Sequence, residues 1–202
     1  MNKIIKDTMA ITVITFVAGL SLGFVNDITR EPIAKQEALA KQEAYQAVFE
    51  DADSFEVLFS EEKPELESYL DERGYPLQTV EEGVLAKSES GETLGYAFTV
   101  NTSEGYGGDI RFAMGIQMDG TTEGLSILSI GETAGLGMKA TTREFQSQFE
   151  GKQVEAFTYT KSGAVQEDEI DALSGATITT NAMTNGVNAG LCAFRFEKGG
   201  TQ

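Results

Sequence analysis

Histidine is absent from the 202 residues, and cysteine occurs once, at Cys192. The first absence removes Ser-His and Cys-His nucleophilic catalysis, His-ligated haem and the usual zinc sites together. The second removes an intrachain disulfide, a CxxC redox pair and any iron–sulfur cluster held by the chain's own thiolates. Cys192 sits between Leu191 and Ala193 in an apolar helical stretch, the setting of a packed core thiol. Basic residues are scarce: 15 Lys and Arg against 32 Asp and Glu give a formal net charge of -17. A surface of that sign does not suit nucleic acid or a polybasic membrane patch. No Gly-x-x-x-x-Gly-Lys-Ser/Thr run occurs, and neither glycine cluster has GxGxxG spacing ahead of a helix. A phosphate-loop NTPase and a dinucleotide fold are therefore unsupported. Redox work by this chain would need a borrowed organic cofactor.

One long uncharged run is present. Residues 1–7 carry Lys3 and Lys6, and from Thr8 to Asn26 no charge interrupts the chain. At ~1.5 Å per residue a helix of that length spans roughly 28 Å, close to a bilayer core. Ala18, Gly19 and Gly23, with Thr12, Thr15 and Ser21, suit packing against neighbouring transmembrane helices. A retained anchor is favoured over a cleaved signal peptide, because the nearest Ala-x-Ala, at Ala38-Leu39-Ala40, lies well past the apolar run. Cations stand on both sides of it (Lys3 and Lys6; Arg30, Lys35 and Lys41), so charge leaves the orientation open.

Thr29-Arg30-Glu31-Pro32 reads as a break, with Pro32 opening a new helix rich in Ala, Gln, Glu and Lys through Glu50. Asp51 to Pro76 reads as a strand or loop followed by a short helix. From Thr79 the pattern turns to strands. Val84-Leu85-Ala86 and Leu94 to Val100 flank a polar turn, and Asp119-Gly120 separates Ile110–Met118 from Leu125–Ile130. Thr141 to Phe149 has helical spacing with Gly151 as a stop, and Val154 to Tyr159 reads as a strand. The expected fold class is α+β: an antiparallel sheet with flanking helices, attached to a single N-terminal transmembrane helix. The expected organisation is a cytoplasmic tail (1–7), a transmembrane helix (8–26), a helical linker with the start of the folded part (27–78) and a binding domain (79–202).

The stretch Asp171-Ala172-Leu173-Ser174-Gly175-Ala176-Thr177 leads into a helix whose face is marked by Met183, Val187, Leu191 and Phe194. Thr179 or Thr180 is the expected N-cap. Small residues before a helix start let a ligand approach free N–H groups and the positive end of the dipole, which makes an anion site. Two further glycine clusters, Gly105-Tyr106-Gly107-Gly108 and Gly131-Glu132-Thr133-Ala134-Gly135-Leu136-Gly137, read either as turns and bulges or as backbone closing over a flat ligand.

Taken together these segments resemble the FMN-binding subunits of the Rnf and Na+-translocating NADH:quinone reductase complexes. That family shows Asp-x-x-Ser/Thr-Gly-Ala-Thr, Gly-Tyr-Gly-Gly and Glu-Thr-Pro-Gly-Leu-Gly motifs, together with a Thr-Arg-Glu-Pro segment after the span. Here Ala134 replaces the Pro. The short length is more similar to the G subunit of the Rnf complex than to the longer C subunit of the quinone reductase. The resemblance implies covalent FMN, held by a phosphoester on Thr177. It implies a ring pocket of Glu132, Thr133, Leu136 and Gly137, with Tyr106 and Gly107 from the first cluster. At the phosphate end it implies Ser174, Gly175, Ala176 and Thr180, and Asp171 as a recognition point for a flavin transferase. Lys139 either helps neutralise the phosphate or is a plain surface lysine.

On this resemblance the chain is an electron-carrying subunit of a membrane-bound ferredoxin:NAD+ oxidoreductase that moves ions. Its partners would be the other membrane subunits, the flavin transferase and the bilayer, with no nucleic acid or metal, and with the FMN domain outside the cytoplasm. NAD and ferredoxin would bind elsewhere in the complex, and the isolated chain would not turn over. The alternatives are a membrane-anchored flavoprotein of another extracytoplasmic reductase, the C subunit of the quinone reductase, and a surface protein without flavin. A Ser174–Lys hydrolase is the remotest reading.

Overall fold

The computed structural model describes residues 2–199. The chain forms two compact units that divide between Ala40 and Lys41. The first lies within helix α1, which spans Asn2–Val48. Its apolar side chains face outward; Phe16, Leu20 and Phe24 are exposed. The helix is long and apolar enough to cross a bilayer. Thr12 Oγ1 and Thr15 Oγ1 donate to the carbonyls of Thr8 and Ile11 at 2.9 and 2.5 Å, which hides their polarity from an apolar surrounding.

Pro32 does not open a new helix, because α1 runs through it. Pro32 costs the donor to the Ile28 carbonyl. Strong helix formers on its C-terminal side, and the Glu31–Lys35 pair at 2.7 Å straddling it, oppose that loss.

The second unit is built on a five-stranded antiparallel sheet in the order β1-β2-β3-β4-β5. The strands are β1 Ser54–Phe59, β2 Gln78–Lys87, β3 Thr93–Thr102, β4 Ile110–Gln117 and β5 Thr122–Ile130. Both expected hairpins are present, and Gly91 and Gly120 take the positive φ values (80° and 99°) that their turns require. Helix α2, Pro64–Glu72, fills the expected place between β1 and β2.

Residue size alternates along the central strands with a period of two. Tyr96, Phe98 and Val100 of β3 and Phe112, Met114 and Ile116 of β4 face one side, where they form the main core with Met183, Val187 and Leu191 of helix α4, Thr177–Gly199. Ala97 and Ala113 face the other side, where Ala44, Tyr45, Val48 and Phe49 pack on them. The large face carries α4, and the small face admits the close approach of the Ala44–Phe49 turn. Cys192 is buried in the main core.

Two stretches depart from the sequence pattern. Thr141–Phe149 is not one helix: a 3-10 turn at Gly137–Thr141, helix α3 at Arg143–Gln146 and a 3-10 turn at Ser147–Phe149 succeed one another. Val154–Tyr159 is mostly irregular; only β6, Thr158–Thr160, is a strand, paired in parallel with β7, Glu169–Asp171.

Candidate functional site

Three segments meet at one end of the sheet. Thr102 at the end of β3 pairs with Ile110, and Ile110 pairs with Ile130 at the end of β5. The register therefore brings the first glycine cluster, in the β3–β4 connection, beside the second, which follows β5. They touch through backbone: a Cβ on Gly107 would stand 2.1 Å from the Gly131 carbonyl oxygen. No residue larger than glycine fits there without moving main chain. Glu132 Oε1 accepts the Gly107 N–H at 3.2 Å, fastening one cluster to the other.

Beyond Glu132 the chain curls on itself. The Thr133 carbonyl accepts the N–H groups of Leu136 and Met138 at 3.1 and 3.2 Å. The third segment is the turn before α4. Ala176 N–H donates to the Leu173 carbonyl at 3.0 Å, and Gly175 takes φ +76°. A Cβ on Gly175 would meet Leu136 Cδ2 at 3.2 Å, so the second and third segments also lie against one another.

Helix α4 starts at Thr177, two to three residues before the expected cap. Thr180 is not the N-cap; its hydroxyl accepts the Leu173 N–H at 3.0 Å and donates to the Ala176 carbonyl at 2.9 Å. It ties the preceding turn to the first turn of the helix. No acidic residue occupies that first turn, so the positive end of the helix dipole is left for an outside anion.

A pocket of about 570 Å³ opens among the three segments. Tyr106, Leu136 and Ile178 supply its apolar rim, and all three are exposed. Glu132, Thr133 and Gly137 line one wall; Gly175, Ala176, Thr177 and Thr179 line the other. Of the residues singled out from the sequence, the fold thus gathers Tyr106, Glu132, Thr133, Leu136, Gly137, Gly175, Ala176 and Thr177 around one space. Gly107 stands behind Glu132, and Thr180 lies buried behind the turn it fastens. Ser174 and Lys139 are exposed and line no part of the pocket. Asp171 ends β7, also outside the pocket; its Oδ1 accepts the Ala164 N–H at 2.7 Å, and its own N–H donates to Gln148 Oε1 at 2.6 Å.

Sequence reasoning missed Ile178 and Thr179. With the helix start placed at Thr177 they become first-turn residues beside the pocket, so the misplaced cap hid them.

Two other depressions are poorer sites for an anion. One, of about 510 Å³, is lined by Glu50, Asp51, Glu123 and Glu150, with Arg143 already bound to Glu150. The other, of about 740 Å³, is a shallow trough along β5.

The FMN-binding domain family matches residues 105–191, from the first glycine cluster into α4. The chain is similar over nearly its whole length to a Methanosarcina acetivorans protein named as the G subunit of an ion-translocating oxidoreductase complex, at 30% identity over 191 residues and 94% of each chain. It is 29% identical over 194 residues to the G subunit of the Na(+)-translocating ferredoxin:NAD(+) oxidoreductase complex of Acetobacterium woodii, across 95% of this chain and 92% of that one. In fold it is similar to the crystal structure of Shewanella oneidensis NqrC, with a TM-score of 0.51 at 20% identity over 60% of each chain.

Proposed function

The chain belongs to the G-subunit family of ion-translocating oxidoreductase complexes, and we propose that it carries electrons there on an FMN esterified through its phosphate to Thr177. The observation that carries this reading is the position of Thr177. It is the first residue of α4, half-buried, and it borders a pocket whose volume lies in the range of small-molecule sites.

The residues present suit the group. A phosphate joined to Thr177 would stand at the start of α4, among N–H groups without intrahelical partners. Gly175 and Ala176 offer no bulky side chain against it. Leu136, Tyr106 and Ile178 give an isoalloxazine ring apolar surface on which to lie. FMN, when bound, supplies the electron transfer; the chain supplies its position and surroundings. Lys139, exposed and outside the pocket, fits the plain surface lysine better than a phosphate partner.

Covalent attachment has a physical motive in this chain. FMN is an anion, and a domain with so large an excess of acids repels it at a distance. An ester makes occupancy independent of free FMN. A flavin transferase would form it, with the exposed Asp171 available as part of its recognition surface.

In this reading α1 anchors the chain in the membrane, the FMN domain lies outside the cytoplasm, and the other members of the complex exchange electrons with it. Co-expression with a flavin transferase, followed by a denaturing gel, tests the attachment. Flavin fluorescence that stays with the denatured chain supports it, and fluorescence that runs with the dye front sinks it.

A further inference from the structure

Two polar side chains close on the same point in the pocket wall. A Cβ on Gly137 would stand 2.5 Å from Glu132 Oε2 and 2.6 Å from Thr179 Oγ1. Both residues are more than nine-tenths buried, with 7% and 1% of their surface exposed, and both line the pocket. Glu132 spends Oε1 on the Gly107 N–H. Among the described residues, Oε2 of Glu132 and the hydroxyl of Thr179 have no hydrogen-bond partner. Neither atom is sealed into the core, so both remain within reach of what fills the pocket. Polar atoms of buried residues are seldom left so, and their unmet bonds point to a ligand. Gly137 is what lets the carboxylate and the hydroxyl come together.

The position of Thr179 limits what it can reach. It lies two residues along α4 from Thr177, an axial advance of about 3 Å. Next to a phosphate esterified at Thr177 comes the ribityl chain, and the ring lies beyond it. A polyol presents hydroxyls that both donate and accept. A carboxylate can accept hydrogen bonds from them, and a threonine hydroxyl can donate or accept one.

We propose that Glu132 Oε2 and Thr179 Oγ1 form a polyol-reading pair that binds the ribityl hydroxyls of the flavin and so fixes the ring's position. The inference rests on the Thr177 attachment and adds two positioning residues to it. The pair holds the linker, and through it keeps the ring seated on the apolar rim. Without the pair, a flavin tethered only by its ester swings about the bonds of a five-carbon chain.

The test is time-resolved fluorescence anisotropy of the flavin on the full chain, loaded by a flavin transferase. Two donors are compared: one carrying the ribityl chain, the other carrying an alkyl linker of the same length without hydroxyls. In the wild-type chain the ribityl flavin should retain residual anisotropy that decays with tumbling of the whole protein. The alkyl-linked flavin should lose that component although the protein is unaltered. Thr179→Val should lose it with the ribityl flavin, and Thr179→Ser should restore it. Equal residual anisotropy for the two flavins in the wild-type chain overturns the proposal, even if Thr179→Val is too unstable to purify. Failure of the wild-type chain to take covalent flavin at all removes the Thr177 attachment and this proposal with it. Loading without discrimination removes this proposal alone.

Discussion

Thr180 Oγ1 lies 3.0 Å from the backbone nitrogen of Leu173, so a hydroxyl in the first turn of α4 closes the loop that presents Thr177. The same oxygen donates to the Ala176 carbonyl at 2.9 Å. Thr180 is fully buried, and a residue there without a hydroxyl leaves the Leu173 N–H without its partner. Thr180→Val should cost ~1–3 kcal/mol, the penalty for orphaning a buried donor. Thr180→Ser should recover most of it. Thermal unfolding of the three chains measures the difference, and Thr180→Val should also slow flavin loading at Thr177. Wild-type stability and loading in Thr180→Val would show that the clamp is not needed.

Gly175 joins a backbone requirement to a packing one. Its φ of +76° disfavours any residue with a side chain, and its missing Cβ leaves space for Leu136 Cδ2 at 3.2 Å. Gly175→Ala should destabilise the domain by ~1–3 kcal/mol, the cost of holding a non-glycine residue in the left-handed region. Because the strain falls two residues before Thr177, the yield of loaded protein should drop further than stability alone accounts for. Comparing loading of Gly175→Ala with that of a core variant of equal melting temperature separates the two effects.

Tyr45 gives the pH dependence of the second unit a definite sign. Burial pushes its phenol far above the usual tyrosine range, and Glu82 adds to the shift while the hydrogen bond to Thr99 opposes it. An acid whose folded pKa is raised stays protonated in the fold while the unfolded chain ionises. Its contribution is fully present below the unfolded value of about 10 and is lost as pH rises above it. The loss should be no steeper than ~1.4 kcal/mol per pH unit for one group. Urea unfolding between pH 8.5 and 11.5, run on wild type and Tyr45→Phe (both end points set by the group's reference value of about 10), measures it. The alkaline decline should be shallower in Tyr45→Phe. Parallel curves would remove Tyr45 as its source.

The sheet was legible because its signals are local. The turn between β2 and β3 and Asp119-Gly120 between β4 and β5 mark the hairpins, and the apolar runs that flank them are the paired strands. What escaped is long-range. Val154–Tyr159 reads as a strand, yet Asn188 of α4 takes the place of a neighbouring strand: it accepts the Phe157 N–H at 2.7 Å and donates to the Phe157 carbonyl at 2.9 Å. The helical spacing of Phe145 and Phe149 is real, but it serves an edge-to-face aromatic cluster, Phe145 on Phe149 and Phe149 on Phe157 at centroid distances of 5.6 and 5.1 Å, that short turns also satisfy. At the site, the three motifs were legible in the residues, and their meeting around one ligand was implied only by the resemblance; the contacts that join them were not legible. Nothing near Gly137 in sequence announces that Thr179 closes on it from another element.

The central claim is that Thr177 carries the flavin, and intact mass tests it most directly. The chain and its Thr177→Ala variant are each co-expressed with a flavin transferase and weighed, and the peptides are then mapped. The account predicts an added mass equal to esterified FMN on the peptide holding Thr177 in the wild-type chain, and none on Thr177→Ala. An unmodified wild-type chain beside a transferase active on another acceptor would contradict it, as would FMN mass retained on Thr177→Ala.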